Sequence, residues 1–360
     1  MSVATSAPPL PVTRTSSPRP RPSEDQLGFG KYFADHMLLV DYVAGDGWAQ
    51  PRIVPYGPLA LDPAASVLHY GQAMFEGLKA YRLADGQIAL FRPDRNAHRM
   101  ATGALRLSIP AIDETLFVQG IAQLVAADRD WVPSAPGTAL YIRPTIIATE
   151  AFLGVRASQS YTFYVITGPV GAYYAGGLRP VRIWVERERV RAVKGGIGAA
   201  KAAANYVASL QVAEEARARG CDQVLWLDAI EHEYLEEVGT MNLCLVIDGM
   251  LITPPLGGSI LPGITRDTVL TLARDWGMPV EERVISITEL TAAHRAGTLQ
   301  EVFGVGTAAV IQAVGTLTGA DGDLVINGGQ PGPIAQRLYD AITRLQYGLD
   351  PDPRGWRVII

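Results

Sequence analysis

The chain is 360 residues long, enough for two domains at roughly 100–200 residues each. Hydrophobic residues make up 48% and charged residues 19%, so there is ample material for two cores and much of the chain should be buried. A net charge of −5 argues against the clustered basic face that nucleic acid requires, and no stretch reaches the ~20 apolar residues that cross a bilayer.

Residues 1–27 are rich in Pro, Ser and Thr, without apolar periodicity, and are expected to form a disordered or loosely attached arm. The arm lacks the charged start and apolar core of a secretory signal. Order should begin near Phe29 and the apolar run Met37 to Val40. A smaller α/β domain is then expected over 28–170, with strands at Gln87–Phe91, Tyr141–Thr145 and Tyr161–Thr167 and a helix at Leu116–Ala127. Residues 171–180, Gly-rich with adjacent Tyr173 and Tyr174, suit an interdomain loop. A larger α/β domain should fill 181–360, opening with a strand at Val181–Val185. A helix is expected from Ala202 to Arg219, with Glu215 and Arg219 paired and Gly220 as its cap. Strands should follow at Val224–Leu227, Leu235–Ile247, Met250–Thr253 and Val302–Gly306, and a helix at Ile264–Trp276. Two cysteines, Cys221 and Cys244, do not make a secreted disulfide scaffold, so a reducing, cytoplasmic setting is expected.

The strongest chemical signal is Lys201, the sole charge between Gly195 and Ala213, among glycines and alanines where a helix should start. A lone lysine is most often a solvated charge. Small neighbours instead leave room for a bulky group, and desolvation with the helix dipole would favour the neutral amine that Schiff-base chemistry needs. Glu237 precedes the apolar run Leu243–Ile247, where its carboxylate could hold a heterocyclic nitrogen protonated or could be a strand-end surface acid. Arg99, the helix start Pro262-Gly263-Ile264-Thr265 and the turn Gly304-Val305-Gly306-Thr307-Ala308-Ala309, read as strand-to-helix, are three weak phosphate candidates. The five histidines show no metal-binding spacing, so no metal site is expected.

Three longer motifs in order carry a resemblance: Leu68 to Tyr81 with Phe75-Glu76-Gly77-Leu78-Lys79 inside it, the Lys201 segment, and Glu236-Glu237-Val238-Gly239-Thr240-Met241-Asn242. From Phe29 to about Gln312 the chain resembles the branched-chain aminotransferases among the fold-type IV pyridoxal-phosphate enzymes. That resemblance implies a two-domain α/β (α+β type) fold with the active site in the cleft between domains. It implies homodimers with the residue matching Tyr70 near the neighbouring subunit, and no nucleic-acid or membrane partner. Lys201 is implied to bond pyridoxal 5′-phosphate and to move the proton between the substrate α-carbon and the cofactor C4′. Glu237 is implied to face the pyridine nitrogen and Tyr206 the phenolic oxygen. Arg99, Ile264, Thr265 and Thr307 are implied to cup the phosphate, and Thr307 and Ala308 to receive the substrate α-carboxylate. Phe29, Tyr70, Phe75, Val155, Tyr173 and Thr240 are implied to line the side-chain pocket, and Tyr70, Tyr141 and Arg143 to take the γ-carboxylate of glutamate. Arg143 fits this in its own right, since an unpaired guanidinium on an apolar strand is costly; a structural ion pair is the alternative. The implied reaction is reversible, ping-pong transamination of L-leucine, L-isoleucine and L-valine with 2-oxoglutarate. A D-amino-acid aminotransferase, an aminodeoxychorismate lyase or a silent ligand-binding protein of the same fold are the competing readings. Some family members carry a CxxC pair after the Thr-Ala turn; Ala309 and Gln312 stand there, so thiol regulation of that kind is not expected.

Overall fold

The computed structural model describes residues 8–171, 178–320 and 322–360. The chain forms two compact units. The first takes in Met1–Tyr173, Ala200–Ala204 and Arg344–Ile360; the second takes in Tyr174–Ala199 and Asn205–Thr343. These units depart from the sequence expectation at two points. The Lys201 segment packs with the first unit, and so does the C-terminal tail, because its last strand finds a partner there.

The first unit is built on β1 (His36–Val43), β2 (Gly47–Pro55), β3 (Ala73–Phe75), β4 (Leu78–Arg82), β5 (Ile88–Phe91), β6 (Ala139–Ala148) and β7 (Ser160–Val170), with the short helix α1 (Ser66–Tyr70) between β2 and β3. All pair antiparallel, and the C-terminal strand Arg357–Ile359 extends the sheet beside β5. Alternation decides the two faces of β4 and β6. Leu78, Ala80, Leu140 and Ile142 enter the main core, where helices α2 (Pro93–Arg106) and α3 (Glu114–Ala127) contribute Met100, Phe117, Ile121 and Leu124. Tyr81, Ala139 and Tyr141 join a small cluster on the other face. Asp113 caps α3 by accepting from the Leu116 N–H, so the helix starts two residues before the expected Leu116.

Residues 8–27 are not the loose arm expected. They run beside the edge strand β2, where Thr13 N donates to Ile53 O and Ile53 N donates to Pro11 O, each at 2.9 Å. Leu10 packs on the core, and Glu24 accepts from the Ser134 and Ala135 N–H groups at 2.7 Å each. The segment has few apolar side chains of its own to bury. The unpaired backbone of a sheet edge supplies what the segment lacks.

The second unit contains β8 (Val181–Val185), most of α4 (Ala203–Val207), α5 (Leu210–Ala218), β9 (Gln223–Leu227), β10 (Leu235–Val238), β11 (Met241–Ile247), β12 (Met250–Thr253), α6 (Ile264–Asp275), β13 (Val280–Glu282), α7 (Ile287–Ala296), β14 (Leu299–Gly306), β15 (Val310–Gly319), β16 (Gly322–Val325) and most of α8 (Pro333–Gln346). Its pairings run β10-β9-β8-β15-β14-β11 and close through β10–β11. Ile183, Leu225, Leu235, Leu243, Val302 and Val314, one from each strand of that ring, form one core. Helices α6 and α8 cover the outer face over Phe303, Val305 and Ile311.

Three expected elements differ. The helix expected over Ala202–Arg219 breaks into α4 and α5, because the Ser209 hydroxyl donates to Tyr206 O at 2.8 Å and competes with the helix ladder. The strand expected over Leu235–Ile247 folds into a hairpin at Gly239-Thr240, where Gly239 has φ +58°. The turn after Gly306 leads into strand β15, not a helix.

Candidate active site

In the first unit the Lys201 segment is laid against β3. Phe75 N donates to Lys201 O at 3.1 Å, Met74 forms a bridge with Ala202, and the Lys201 amine lies 5.2 Å from the centre of the Phe75 ring. The helix that follows Lys201 has only five residues, so the dipole invoked at the sequence level is that of a single short turn. Glu76, next to Phe75, is fully buried and grips Arg99 with Oε1–Nε at 2.7 Å and Oε2–Nη2 at 2.8 Å. Asn96 Nδ2 donates to the same carboxylate at 2.7 Å. Burial pushes the Glu76 pKa up, but the Arg99 charge and hydrogen bonds, with the Lys201 charge, outweigh it and hold the carboxyl below its usual range. Sequence reading placed Arg99 but gave Glu76 no role; an acid between an aromatic residue and a glycine was the available signal.

Tyr141 and Arg143 stand on the β6 face opposite the main core. The Arg143 Nη2 donates to Tyr141 Oη at 3.0 Å, and its guanidinium lies 4.6 Å from the Phe75 ring centre. Its Nε is buried without a hydrogen-bond partner among the described residues. Phe29 packs edge-on against Tyr141 at 4.9 Å, and both line a cavity of about 260 Å³ with Arg143, Tyr32 and Ile166. Tyr70 ends α1 with its hydroxyl on Leu153 O; Tyr70 is 43% exposed and Val155 86% exposed. Within this unit, then, Lys201, Phe75, Tyr141, Arg143 and Phe29 form one connected set, with Arg99 joined through Glu76.

The second unit holds the remaining residues. Strand β10 slips register against β9 between Leu235 and Val238, and this irregularity spans Glu236 and Glu237, both buried. Glu237 Oε1 accepts from Asn242 Nδ2 and from Leu261 N, each at 3.1 Å. Its Oε2 lies 3.0 Å from the Arg191 Nε, a charge contact whose N–H is not aligned as a hydrogen bond. Arg191 is anchored by donating to Ser259 O. Asn242 also donates to Leu261 O at 2.9 Å, tying Glu237 to the turn that enters α6. A Cβ on Gly263, the residue capping α6, would meet Asn242 Oδ1 at 1.8 Å. Ile264 and Thr265 form the first turn of that twelve-residue helix. Thr307 and Ala308 make the tight link between β14 and β15, whose neighbour β11 carries Asn242 opposite Val305. Thr240 is exposed in its hairpin, and Tyr206 is half-buried on α4. Neighbouring Glu236 has its carboxyl pKa raised by burial, against the Ser259 hydroxyl that hydrogen-bonds it and the Arg191 charge. The sequence alone assigns no role to Arg191, which lies in no motif, or to Asn242, which closes the Glu236–Asn242 motif without a chemistry of its own. Tyr173 lies outside the described residues.

Gly198 explains part of the glycine run before Lys201: a Cβ there would sit 2.2 Å from Ser259 O. Ala309, Val310 and Ile311 are buried, which agrees with plain packing after the turn. Among the described residues no group of three His, Cys, Asp or Glu is placed to hold a metal ion, and no helix is long and apolar enough to cross a membrane.

A buried carboxylate with two donors and a neighbouring guanidinium, a lysine beside an aromatic strand end and two mixed α/β units suit an enzyme of the amino-group-transfer type, and the family model for amino-transferase class IV matches residues 73–315. Branched-chain-amino-acid aminotransferase 2 of Bacillus subtilis is 54% identical over 345 residues, covering 96% of this chain and 95% of its own. Among solved structures, the branched-chain amino acid aminotransferase of Thermobaculum terrenum, in its PLP form, superposes with a TM-score of 0.76 at 25% identity, covering 91% of this chain and 99% of that one. The branched-chain amino acid aminotransferase of Escherichia coli gives a TM-score of 0.73 at 28% identity, covering 90% and 98%. The chain belongs to the branched-chain-amino-acid aminotransferases of class IV, as the resemblance implied, and is an enzyme with the fold-type IV architecture.

Proposed function

We propose that the enzyme transfers the amino group of L-leucine, L-isoleucine and L-valine to 2-oxoglutarate, reversibly, yielding branched-chain 2-oxo acids and L-glutamate, with pyridoxal 5′-phosphate as cofactor. When bound, that cofactor supplies an aldehyde that takes an amine and a ring that accepts the electron pair left on the α-carbon. The residues present suit it. Glu237, held by Asn242 and Leu261 beside Arg191, offers a fixed carboxylate to a protonated ring nitrogen. Lys201 supplies the amine and carries the proton between the substrate α-carbon and the cofactor C4′. Tyr206 donates to the phenolic oxygen. Arg99, the Ile264 N–H, Thr265 and Thr307 take the phosphate, the α6 start supplying unpaired N–H groups as helix starts do. The Thr307 and Ala308 turn takes the α-carboxylate.

The observation that carries the substrate reading is Arg143, a guanidinium between aromatic rings with an unmet buried donor. Such a group wants a carboxylate, and the aromatic walls Phe29, Phe75 and Tyr141 suit a branched aliphatic chain. One pocket thereby serves both half-reactions. Tyr70 and Val155, exposed with Leu68 and Leu153, suit burial against a second copy, so the enzyme is read as a homodimer whose copies complete each other's pocket through Tyr70 and Val155, with Tyr173 and Thr240 as further wall residues. The buried free thiols Cys221 and Cys244 suit a reducing, cytoplasmic setting. Turnover of L-leucine and of D-alanine with 2-oxoglutarate tests the reading. We expect activity with L-leucine and none with D-alanine; turnover of the D-substrate alone would refute it.

A further inference from the structure

Strand β10 buries two adjacent carboxyl groups, Glu236 and Glu237. Both are tied to the segment before α6, Glu236 through Ser259 and Glu237 through the Leu261 N–H. Arg191 stands between them. Its Nε lies 3.0 Å from Glu237 Oε2, and its Nη2 donates to Ser259 O, whose own hydroxyl is the partner of Glu236 Oε1. The two acids are provided for unequally. Glu237 accepts from Asn242 Nδ2 and Leu261 N besides its Arg191 contact. Glu236 has one hydroxyl, and its Oε2 is buried without a hydrogen-bond partner among the described residues. Asp228, just past the end of β9, adds a like charge: burial works against its ionisation, but the Glu231, Tyr234, Glu233 and Ile230 N–H groups outweigh it and hold the pKa down to about 2. Glu236 therefore faces two anions, Glu237 and Asp228, and a guanidinium in direct contact with Glu237. An ionised carboxylate is costly in that position. A neutral acid is not, because the Ser259 hydroxyl can accept as well as donate and Oε2 is then an uncharged carbonyl. Burial raises the Glu236 pKa in the same sense, against the Ser259 hydrogen bond and the Arg191 charge and reinforced by Asp228.

We propose that Glu236 is held as a neutral carboxylic acid and so leaves the Arg191 charge to Glu237, acting as a positioning residue for the carboxylate that meets the cofactor's ring nitrogen. The cofactor half of this rests on the transamination reading above. The test compares the full-length parent with Glu236→Gln, which keeps the shape and needs no proton. Thermal unfolding without cofactor is followed against pH, and so is the Kd for pyridoxamine 5′-phosphate, a probe that forms no bond to Lys201. A carboxyl whose pKa is raised on folding costs stability as pH climbs past its unfolded value of about 4.3, until the folded value is passed. The variant should therefore match the parent's Tm at about pH 4 and exceed it at about pH 7 by roughly 3–5 °C or more, the shift of one pK unit in a domain of this size. Its Kd at about pH 7 should stay within about twofold of the parent's, because the Arg191 contact with Glu237 is unchanged. In alkaline solution the parent should lose affinity more steeply, by roughly tenfold, as Glu236 gives up its proton and draws Arg191 from Glu237. A variant less stable than the parent at neutrality, or one that fails to fold, would mean an ionised Glu236 sharing Arg191 and would overturn the proposal. Parallel affinity profiles for the two proteins would overturn its positioning half. Unmodified enzyme without affinity for pyridoxamine phosphate would instead sink the cofactor reading, and the Tm comparison would still decide the state of Glu236.

Discussion

Gly77 shows how a single missing side chain shapes the site. The space its Cβ would take is filled by the Tyr141 hydroxyl, which receives the Arg143 guanidinium at 3.0 Å. Gly77→Ala must therefore push that hydroxyl aside and loosen the guanidinium. The expected result is a kcat/KM for 2-oxoglutarate lower by about 10–100-fold, the usual effect of a displacement near 1 Å in a reacting pocket. Steady-state kinetics measure this, and a variant as active as the parent would show that Tyr141 does not position the carboxylate group. Glu76 is the other case: removing its charge by Glu76→Gln strands the largely buried Arg99. Breaking such a pair costs about 3–5 kcal/mol, which a denaturant titration reads directly. Its carboxyl pKa is lowered in the fold, so the stability it contributes is present above its unfolded value and disappears as pH falls through the lower folded one.

At the scale of elements, legibility followed the source of each element's stability. Val181–Val185 was read with its true ends because a β-branched and apolar run between a proline and an acidic segment states its own limits. The α4–α5 break was hidden because it depends on which way the Ser209 hydroxyl turns, and helical spacing continues across it. Lys201, Glu237 and Arg99 were legible as residues with odd company. Glu76 and Asn242, inside quoted motifs, and Arg191, outside them, were not, because their roles lie in whom they bond. The arm was misjudged for a related reason: its order comes from the β2 edge. Deleting residues 1–17 should accordingly expose that edge and the surface under Leu10. A loss of about 2 kcal/mol, lowering Tm by roughly 4–8 °C with more aggregation, is expected from two backbone bonds and one apolar side chain. Calorimetry checks it, and an unchanged Tm would mean that the arm adds nothing to the fold.

At the scale of the whole molecule, two units each carry a core of their own, and the chain passes between them more often than its order along the sequence suggests. Residues 200–204 and 344–360 belong with the first unit, the latter through Arg357–Ile359 beside β5. Lys201 thus packs with Phe75 and Glu76, whereas Tyr206, five residues on, belongs to the second unit with Glu237. Family membership rests on the match over nearly the whole chain; the central mechanistic claim, that Lys201 carries the cofactor, rests on one amine. The measurement that bears on it most directly is the visible absorption of cofactor-free enzyme titrated with pyridoxal phosphate, for the parent and for Lys201→Ala. A yellow parent with one equivalent bound per chain is expected, reset to the free-cofactor spectrum by the substitution. A Lys201→Ala protein that keeps the parent's bound-cofactor band would contradict it.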